Sequence, residues 1–574
     1  MKSIRIPVGI SGFAQLRGEG CYYVDKTGLI EELLETHGYQ VTLITRPRRF
    51  GKTLAMSMLS EFFDIRKDSR QLFEGLSILR NQELCDAWMN QYPTLFLSFK
   101  DVGGSSYESA FGMLRAVIGD ACVEHSYLGS SERVDEADRQ RFAELKAWSA
   151  DRETVIHSIA LLTRMMQAHY GKPVIVLIDE YDVPIARASD SRKGKKDYYN
   201  EMMEVIRPLI SAAIKDNPAL KMAVITGCLR IARESIFTGA NNMVSNTISD
   251  TRLNDCFGFT QKEVDQLLTD ADLTSHREEI RKWYDGYCFG GTRIYCPWDV
   301  MNHVSRLTYD PDAQPVSYWK NSSDNAIIRS FLDFAGETVS QKFETLLAGG
   351  TILQKIEEDL TYDYLHSSEE NLWSILYLTG YLTSDPDQAS DQGSPDQEET
   401  ALVIPNAEVQ EIFESTIRVW FADSAKEWNR KALFAAVWCG DEKTVTVELT
   451  RLLRRTISYH DYREDFYHAF FAGIFAGAGY SVESNREHGE GRSDIIVKDY
   501  PGDRAAVFEV KYSGKQSDME KDCDTALHQI DAKFYSEDLR NDYAEILCYG
   551  ISFYRKRCLV KRKAEETSPP VCQI

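Results

Sequence analysis

At 574 residues the chain is too long for one hydrophobic core, and two or three domains are expected. Its 43% hydrophobic and 27% charged residues are those of an ordinary folded soluble protein. A net charge of -22 weighs against a protein that coats nucleic acid through a general basic surface, because affinity for the phosphate backbone comes mainly from Lys and Arg.

No apolar run reaches the length of a membrane span, and Met1 to Pro7 lacks the apolar core of a signal peptide. A cytoplasmic protein with no membrane attachment is expected. The 12 cysteines are scattered singly from Cys21 to Cys572, without a CxxC pair or zinc-like spacing, and read as small buried hydrophobes in a reducing compartment.

In chain order, Asp25 or Thr27 is placed to cap a helix from Gly28 to Thr36. Between 41 and 230 short apolar runs alternate with helical patterns, the rhythm of a parallel sheet covered on both faces. The strand candidates are 41–44, 95–99, 174–178 and 222–226.

After the first of them comes Arg46-Pro-Arg-Arg-Phe-Gly-Lys52-Thr53, then the helical Leu54 to Leu59. That is the context of a P-loop, in which backbone N–H groups cradle phosphates, a Lys reaches the terminal oxygens and a Thr hydroxyl binds Mg2+. Arg49, Phe50, Gly51, Lys52 and Thr53 are the candidate nucleotide-binding residues. Arg46 stands where the GxxxxGK[ST] pattern asks for Gly, so the loop either takes a modified path or compensates through Pro47.

The apolar run Val174 to Ile178 ends in Asp179-Glu180, an Asp for the magnesium shell and a Glu to polarise attacking water. At the end of the 222–226 strand, Thr226 is a candidate sensor of the γ-phosphate. Arg230 or Arg233 either neutralises developing charge or lies on the surface at a helix N-terminus.

From about 257 to 380 the pattern is mostly helical, with aromatic clusters at Trp283 to Gly290 and Ile294 to Trp298 that read as packing. Ser384 to Thr400 holds six acidic residues and no basic one, as a domain linker or as the tip of a long hairpin between strands at 380–383 and 401–404. Residues 405–460 and 461–479 read as helices, followed by a compact αβββαβ unit with strands at 482–485, 494–498, 505–512 and 545–551 and a helix at 523–539.

Asp494 opens one of those strands, and Glu509 and Lys511 share one face of the next while Val510 faces the core. Cutting a phosphodiester with Mg2+ requires carboxylates on the ion and a group that helps generate hydroxide. Glu464 with His468, at helical spacing, is either a further metal ligand with its support or a solvated helix face. Local basic patches for a nucleic acid are Arg451 with Arg454 and Arg455, and Arg555 to Arg557 with Lys561 to Lys563, although each reads more readily as solvated helix or tail charge.

Ile6 to Ile10, Tyr22 to Thr27, Arg46 to Thr53, Ile178 to Asp182 and Leu229 to Phe237 together resemble the bacterial AAA-ATPase-like family whose members carry a carboxyl-terminal PD-(D/E)xK nuclease domain. In that family the Arg-Pro-Arg-Arg-Phe-Gly-Lys loop is the usual form. The resemblance implies catalytic roles for Asp494, Glu509, Lys511 and Gln529, with Ser493 in place of the motif's Pro, and puts Tyr23 to Thr27 near the adenine or ribose.

The expected fold is α/β. It comprises a P-loop ATPase domain over 1–256, a helical lid or bridging region over 257–400, and 401–574 with a restriction-endonuclease-like core at about 460–555. The expected activity is ATP hydrolysis regulating or driving Mg2+-dependent cleavage of DNA, with room for a homo-oligomer. The alternative is a signalling or assembly ATPase whose nuclease-like fold recognises without cutting.

Overall fold

The computed structural model describes residues 4–35, 39–189, 198–231, 242–319, 337–360, 369–385, 399–416, 430–456, 471, 474–476, 478–484, 487–488, 491–492, 495–532, 538–554 and 557–563. By packing, the chain forms two units, residues 1–324 with 351–412, and 325–350 with 413–574.

The first unit is built on a five-stranded parallel sheet. Its strands are β1 (Val41–Thr45), β2 (Thr94–Ser98), β3 (Val174–Asp179), β4 (Leu220–Gly227) and, after the two-residue β5 (Arg230–Ile231), β6 (Met243–Asn246), in the order β2-β3-β4-β1-β6. Every residue of β1 and β3 is buried, because helices cover both faces and both alternating sides of an apolar strand find a core. β6 was not among the expected strands. Its sequence Met-Val-Ser-Asn has no apolar run, and its pairing with β1 places it at the sheet edge.

Asp25 and Thr27 do more than precede the helix Gly28–Glu35. Asp25 accepts hydrogen bonds from Thr27 N and Ser77 N, so the pair ties the helix entry to the turn at 77–78.

The middle of the chain carries the helices Gln261–Asp270, Arg277–Tyr284, Pro297–Leu307 and Glu369–Leu378, with a hairpin of β7 (Tyr287–Phe289) and β8 (Thr292–Ile294). β9 (Ile352–Lys355) and β10 (Asp359–Leu360) follow, and β10 pairs with β5. β11 (Thr383–Ser384) and β12 (Glu399–Val403) pair antiparallel, which answers to the hairpin reading of the acidic stretch; its tip, 386–398, lies outside the described residues.

In the second unit, the helices Arg430–Cys439 and Glu442–Thr456 pack on a five-stranded mixed sheet. Its strands are β13 (Ser481–Ser484), then, beyond a small hairpin of β14 (Glu487–His488) and β15 (Gly491–Arg492), β16 (Ile495–Asp499), β17 (Arg504–Tyr512), β18 (Glu545–Tyr554) and β19 (Arg557–Arg562), in the order β13-β16-β17-β18-β19. β17 and β18 run parallel, joined by the helix Met519–Ala532 that crosses between them. Phe508 and Val510 pack on the helical pair at one face, and Val507 packs on Ile530 at the other.

β19 corrects the reading of 557–563 as tail charge. Arg557 to Arg562 alternates with Cys558 and Val560, both buried, and the segment closes the sheet against β18.

Candidate functional site

In the first unit, β1 delivers the chain into a loop that turns at Arg49 (φ 73°) and Gly51 (φ 85°) before the helix Lys52–Phe63 begins. A side chain at position 51 would have open space around it, so the left-handed backbone is what calls for glycine there. Lys52 Nζ donates to Arg46 O and Pro47 O, each at 2.8 Å, and lies 3.7 Å from Cys228 Sγ.

Asp179 closes the network. Thr53 Oγ1 donates to its Oδ2 at 2.9 Å and Thr226 Oγ1 to its Oδ1 at 2.6 Å. Register explains the convergence: Asp179 ends β3, and Thr226 sits on the neighbouring β4, opposite Ile44 of β1. A hydroxyl and a carboxylate are hard oxygen donors, which fit Mg2+ that also takes water and phosphate oxygens. Ser98, the register partner of Asp179 on β2, lies 3.5 Å from Oδ2 and was missed; its position at the end of an adjacent strand was the available signal.

Glu180 follows with φ 54°, a left-handed conformation that is uncommon for a non-glycine residue. Burial pushes its carboxyl above the ordinary glutamate range, with Lys52 acting in the opposite sense. Asp182 Oδ2 accepts from Cys228 N at 2.9 Å and Leu229 N at 3.0 Å, and Tyr181 donates to Leu229 O at 2.8 Å. The turn after β4 is thereby tied to the turn after β3. Arg230, half-buried, belongs to β5 and pairs with Asp359 of β10, so it does not begin a helix; Arg233 lies outside the described residues.

Arg46 and Phe50 face away from solvent. The Arg46 guanidinium is fully buried and donates to the carbonyls of Thr45, Asn246, Thr247 and Leu253 at 2.7 to 3.1 Å, near the rings of Phe257 and Phe289. Burial brings its pKa down to about 10. Neither expected explanation for position 46 covers this, since the Arg itself staples the loop to 246–253. Phe50 packs edge-on to Tyr287 with ring centres 4.9 Å apart, so its side chain belongs to the packing behind the loop.

In the second unit, β17 carries Glu509, fully buried, and Lys511, whose Nζ lies 3.3 Å from Glu509 Oε1. Val510 between them is buried in the opposite face, as strand alternation requires. Ile495 pairs with Phe508, so the residue after Asp494 lies across the hairpin from the residue before Glu509. Ser493, Asp494, Glu464 and His468 themselves lie outside the described residues.

Gly550 is the register partner of Glu509 on β18, and a Cβ there would fall 2.4 Å from Cys523 O. That close approach seats the helix Met519–Ala532, which carries the half-buried Gln529, on the Glu509 face of the sheet. Further along the same face, Ser513 bonds both Asp522 of this helix and Ser552 of β18. Neither serine was singled out from sequence, although Ser513 continues the alternation of Glu509 and Lys511.

The expected basic patches are interleaved with acids. Lys561 pairs with Asp524 at 2.7 Å, Lys563 with Asp531, and Arg451 with Glu448 at 2.5 Å. Among the described residues no group of three or more His, Cys, Asp or Glu side chains converges as a metal cluster, and no helix is long and apolar enough to cross a membrane. All the described cysteines except Cys228 and Cys439 are buried.

Comparison with known proteins agrees with this division of labour. Residues 7–237 match the family model described as "Predicted AAA-ATPase", and residues 462–563 match that of the PD-(D/E)XK nuclease superfamily. A protein of Azotobacter chroococcum mcd 1 named "Uncharacterized protein in vnfD 5'region" is 26% identical over 569 residues, 97% of each chain. The chain therefore joins an AAA-ATPase-like domain over 7–237 to a PD-(D/E)XK nuclease superfamily domain over 462–563.

Proposed function

We propose that this protein binds and hydrolyses ATP in its first unit and cuts DNA in its second, with ATP use regulating or driving the cut. The observation that carries the ATPase half is the hydrogen-bonded chain Thr53–Asp179–Thr226 beside Lys52. Lys52 exchanges two loop carbonyls for phosphate oxygens. Glu180 holds and polarises the attacking water, and Thr226 reports the terminal phosphate through Asp179.

Mg2+, held at Thr53 and Asp179, neutralises phosphate charge when bound. In the nuclease half, Glu509 with Asp494 and Glu464 holds the same ion type, Lys511 supports hydroxide formation at the scissile phosphate, and Gln529 orients water or the DNA backbone. The buried Glu509 carboxylate beside an amine supports this, as an oxygen donor held where bulk water does not compete.

The pairing of Lys561 and Lys563 with acids favours a second reading, in which the nuclease-like unit recognises a partner without cutting. Incubating the full-length protein with plasmid or single-stranded DNA and Mg2+ separates the two. Loss of cutting in Asp494→Ala and Lys511→Ala, with cutting retained in Lys52→Ala, supports a nuclease regulated by its ATPase. Absence of cutting by the unaltered protein, with ATPase intact, supports the recognition module.

A further inference from the structure

Past Glu509 and Lys511 the same face of the sheet continues in two fully buried serines. Ser513 N donates to Phe553 O at 2.8 Å, which extends the β17–β18 ladder by one residue, and Ser552 is the register partner of Lys511 on β18. Ser513 Oγ donates to Asp522 Oδ2 and shares a second hydrogen bond with Ser552 Oγ. A hydroxyl has one proton to give, so Ser552 is the donor to Ser513. One series of bonds therefore runs from the strand position beside Lys511 to the first turn of the helix Met519–Ala532.

The rotation of that helix follows from its other contacts. Cys523 and Ala526 face the sheet, where Gly550 admits them. Asp524 and Asp531, seven residues or nearly two turns apart, lie on one flank and pair with Lys561 of β19 and with Lys563 just after it. Asp522 and Gln529, also seven apart and both half-buried, lie on the opposite flank. In the strand order β19 is on one side of β18 and β17 on the other, so this second flank is the one turned toward Glu509 and Lys511.

We propose that Asp522, through Ser513 and Ser552, is a positioning residue for phosphodiester cleavage: the bonded series fixes the flank that carries Gln529 relative to Glu509 and Lys511. The inference rests on the reading of this unit as a nuclease. Asp522 acts through that placement and not on the phosphate itself. An apolar pair would also close this end of the sheet. A fully satisfied series of buried polar groups adds a single defined arrangement of strand and helix.

The test is steady-state cleavage of end-labelled DNA in Mg2+ by full-length Asp522→Ala, Asp522→Asn and Ser513→Ala, each assayed below its own melting transition and checked for ATP hydrolysis. The expected result for Asp522→Ala is a fall in kcat of about ten- to a hundredfold, the scale of a small misplacement remote from the reacting atoms. KM for DNA and ATP hydrolysis stay unchanged, and Asp522→Asn, whose amide oxygen still accepts from Ser513, recovers the rate. Ser513→Ala, which removes the bridging hydroxyl and leaves the carboxylate, shows the same fall in kcat if Asp522→Ala does not fold. Unchanged kcat in Asp522→Ala or in Ser513→Ala, a change confined to KM, or a loss that Asp522→Asn does not recover overturns the proposal. Cutting by Glu509→Gln at the unaltered rate, or no cutting by the unaltered protein, overturns the nuclease reading, and the proposal falls with it.

Discussion

Thr53 Oγ1 and Asp179 Oδ2 meet at 2.9 Å across 126 residues of sequence, joining the helix Lys52–Phe63 to the end of the buried strand β3. The contact makes a hydroxyl and a carboxylate available together on the face where Lys52 begins its helix. Replacing Asp179 by Asn removes the charge while keeping the shape. ATP turnover should fall about a hundredfold or more, the scale of losing one electrostatic stabiliser of a transition state, and a phosphate-release assay reads it directly.

Glu180 should set an acid limb on ATP hydrolysis. Burial raises its pKa, so it takes up a proton at a higher pH than an exposed glutamate and loses its water-polarising charge as pH falls through that raised value. The rate-against-pH profile should therefore break above the ordinary glutamate range. Glu180→Gln should bind ATP and hardly turn it over, and a profile that breaks where a free glutamate titrates would argue against the assignment.

Arg46→Gly restores the residue that the general P-loop pattern asks for, yet it should destabilise. Four backbone carbonyls lose their donor in the core, and each buried unsatisfied group costs about 1–3 kcal/mol. A loss of roughly 3 kcal/mol or more is expected after partial compensation by water. Urea unfolding measures it, and unchanged stability would show that the staple is dispensable.

The strands β1 and β3 and the Lys52, Thr53, Asp179 and Thr226 set were legible because unbroken apolar runs and a Gly-Lys-Thr turn carry their meaning locally. Arg46 was not, because its partners lie about two hundred residues away in β6 and beyond, and an arginine in a phosphate loop gives no sign that it faces inward. The packing of the Phe50 ring on Tyr287 was hidden for the same reason. β19 was lost because its alternating basic residues look like a solvated tail until the acids that pair with them, Asp524 and Asp531, are brought alongside by the helix Met519–Ala532.

Asp299 and Glu408 should make stability depend on pH. Burial pushes both carboxyls up, and the neighbouring Asp299 raises Glu408 further. A carboxyl whose folded pKa exceeds its unfolded one stabilises fully below the unfolded value and loses that contribution as pH rises through the folded value. Stability should decline from the ordinary glutamate range upward, and Glu408→Gln should flatten the decline in thermal melts taken across pH. A variant with the same slope as the unaltered protein would remove the pair from the account.

Gly550→Ala should lift the helix Met519–Ala532 from the sheet, since its Cβ would meet Cys523 O at 2.4 Å. A cost of about 1–3 kcal/mol is expected from overpacking. DNA cleavage should fall by more than stability alone explains, because Gln529 moves relative to Glu509. Circular dichroism melts and a cleavage assay on the same preparation separate the two effects.

The most direct measurement is the rate at which end-labelled DNA is cut in Mg2+, with and without ATP, by the unaltered protein and by Glu509→Gln. The account predicts cutting that responds to ATP in the unaltered protein and is lost in Glu509→Gln while ATP hydrolysis continues. Cutting by Glu509→Gln at the unaltered rate would contradict it.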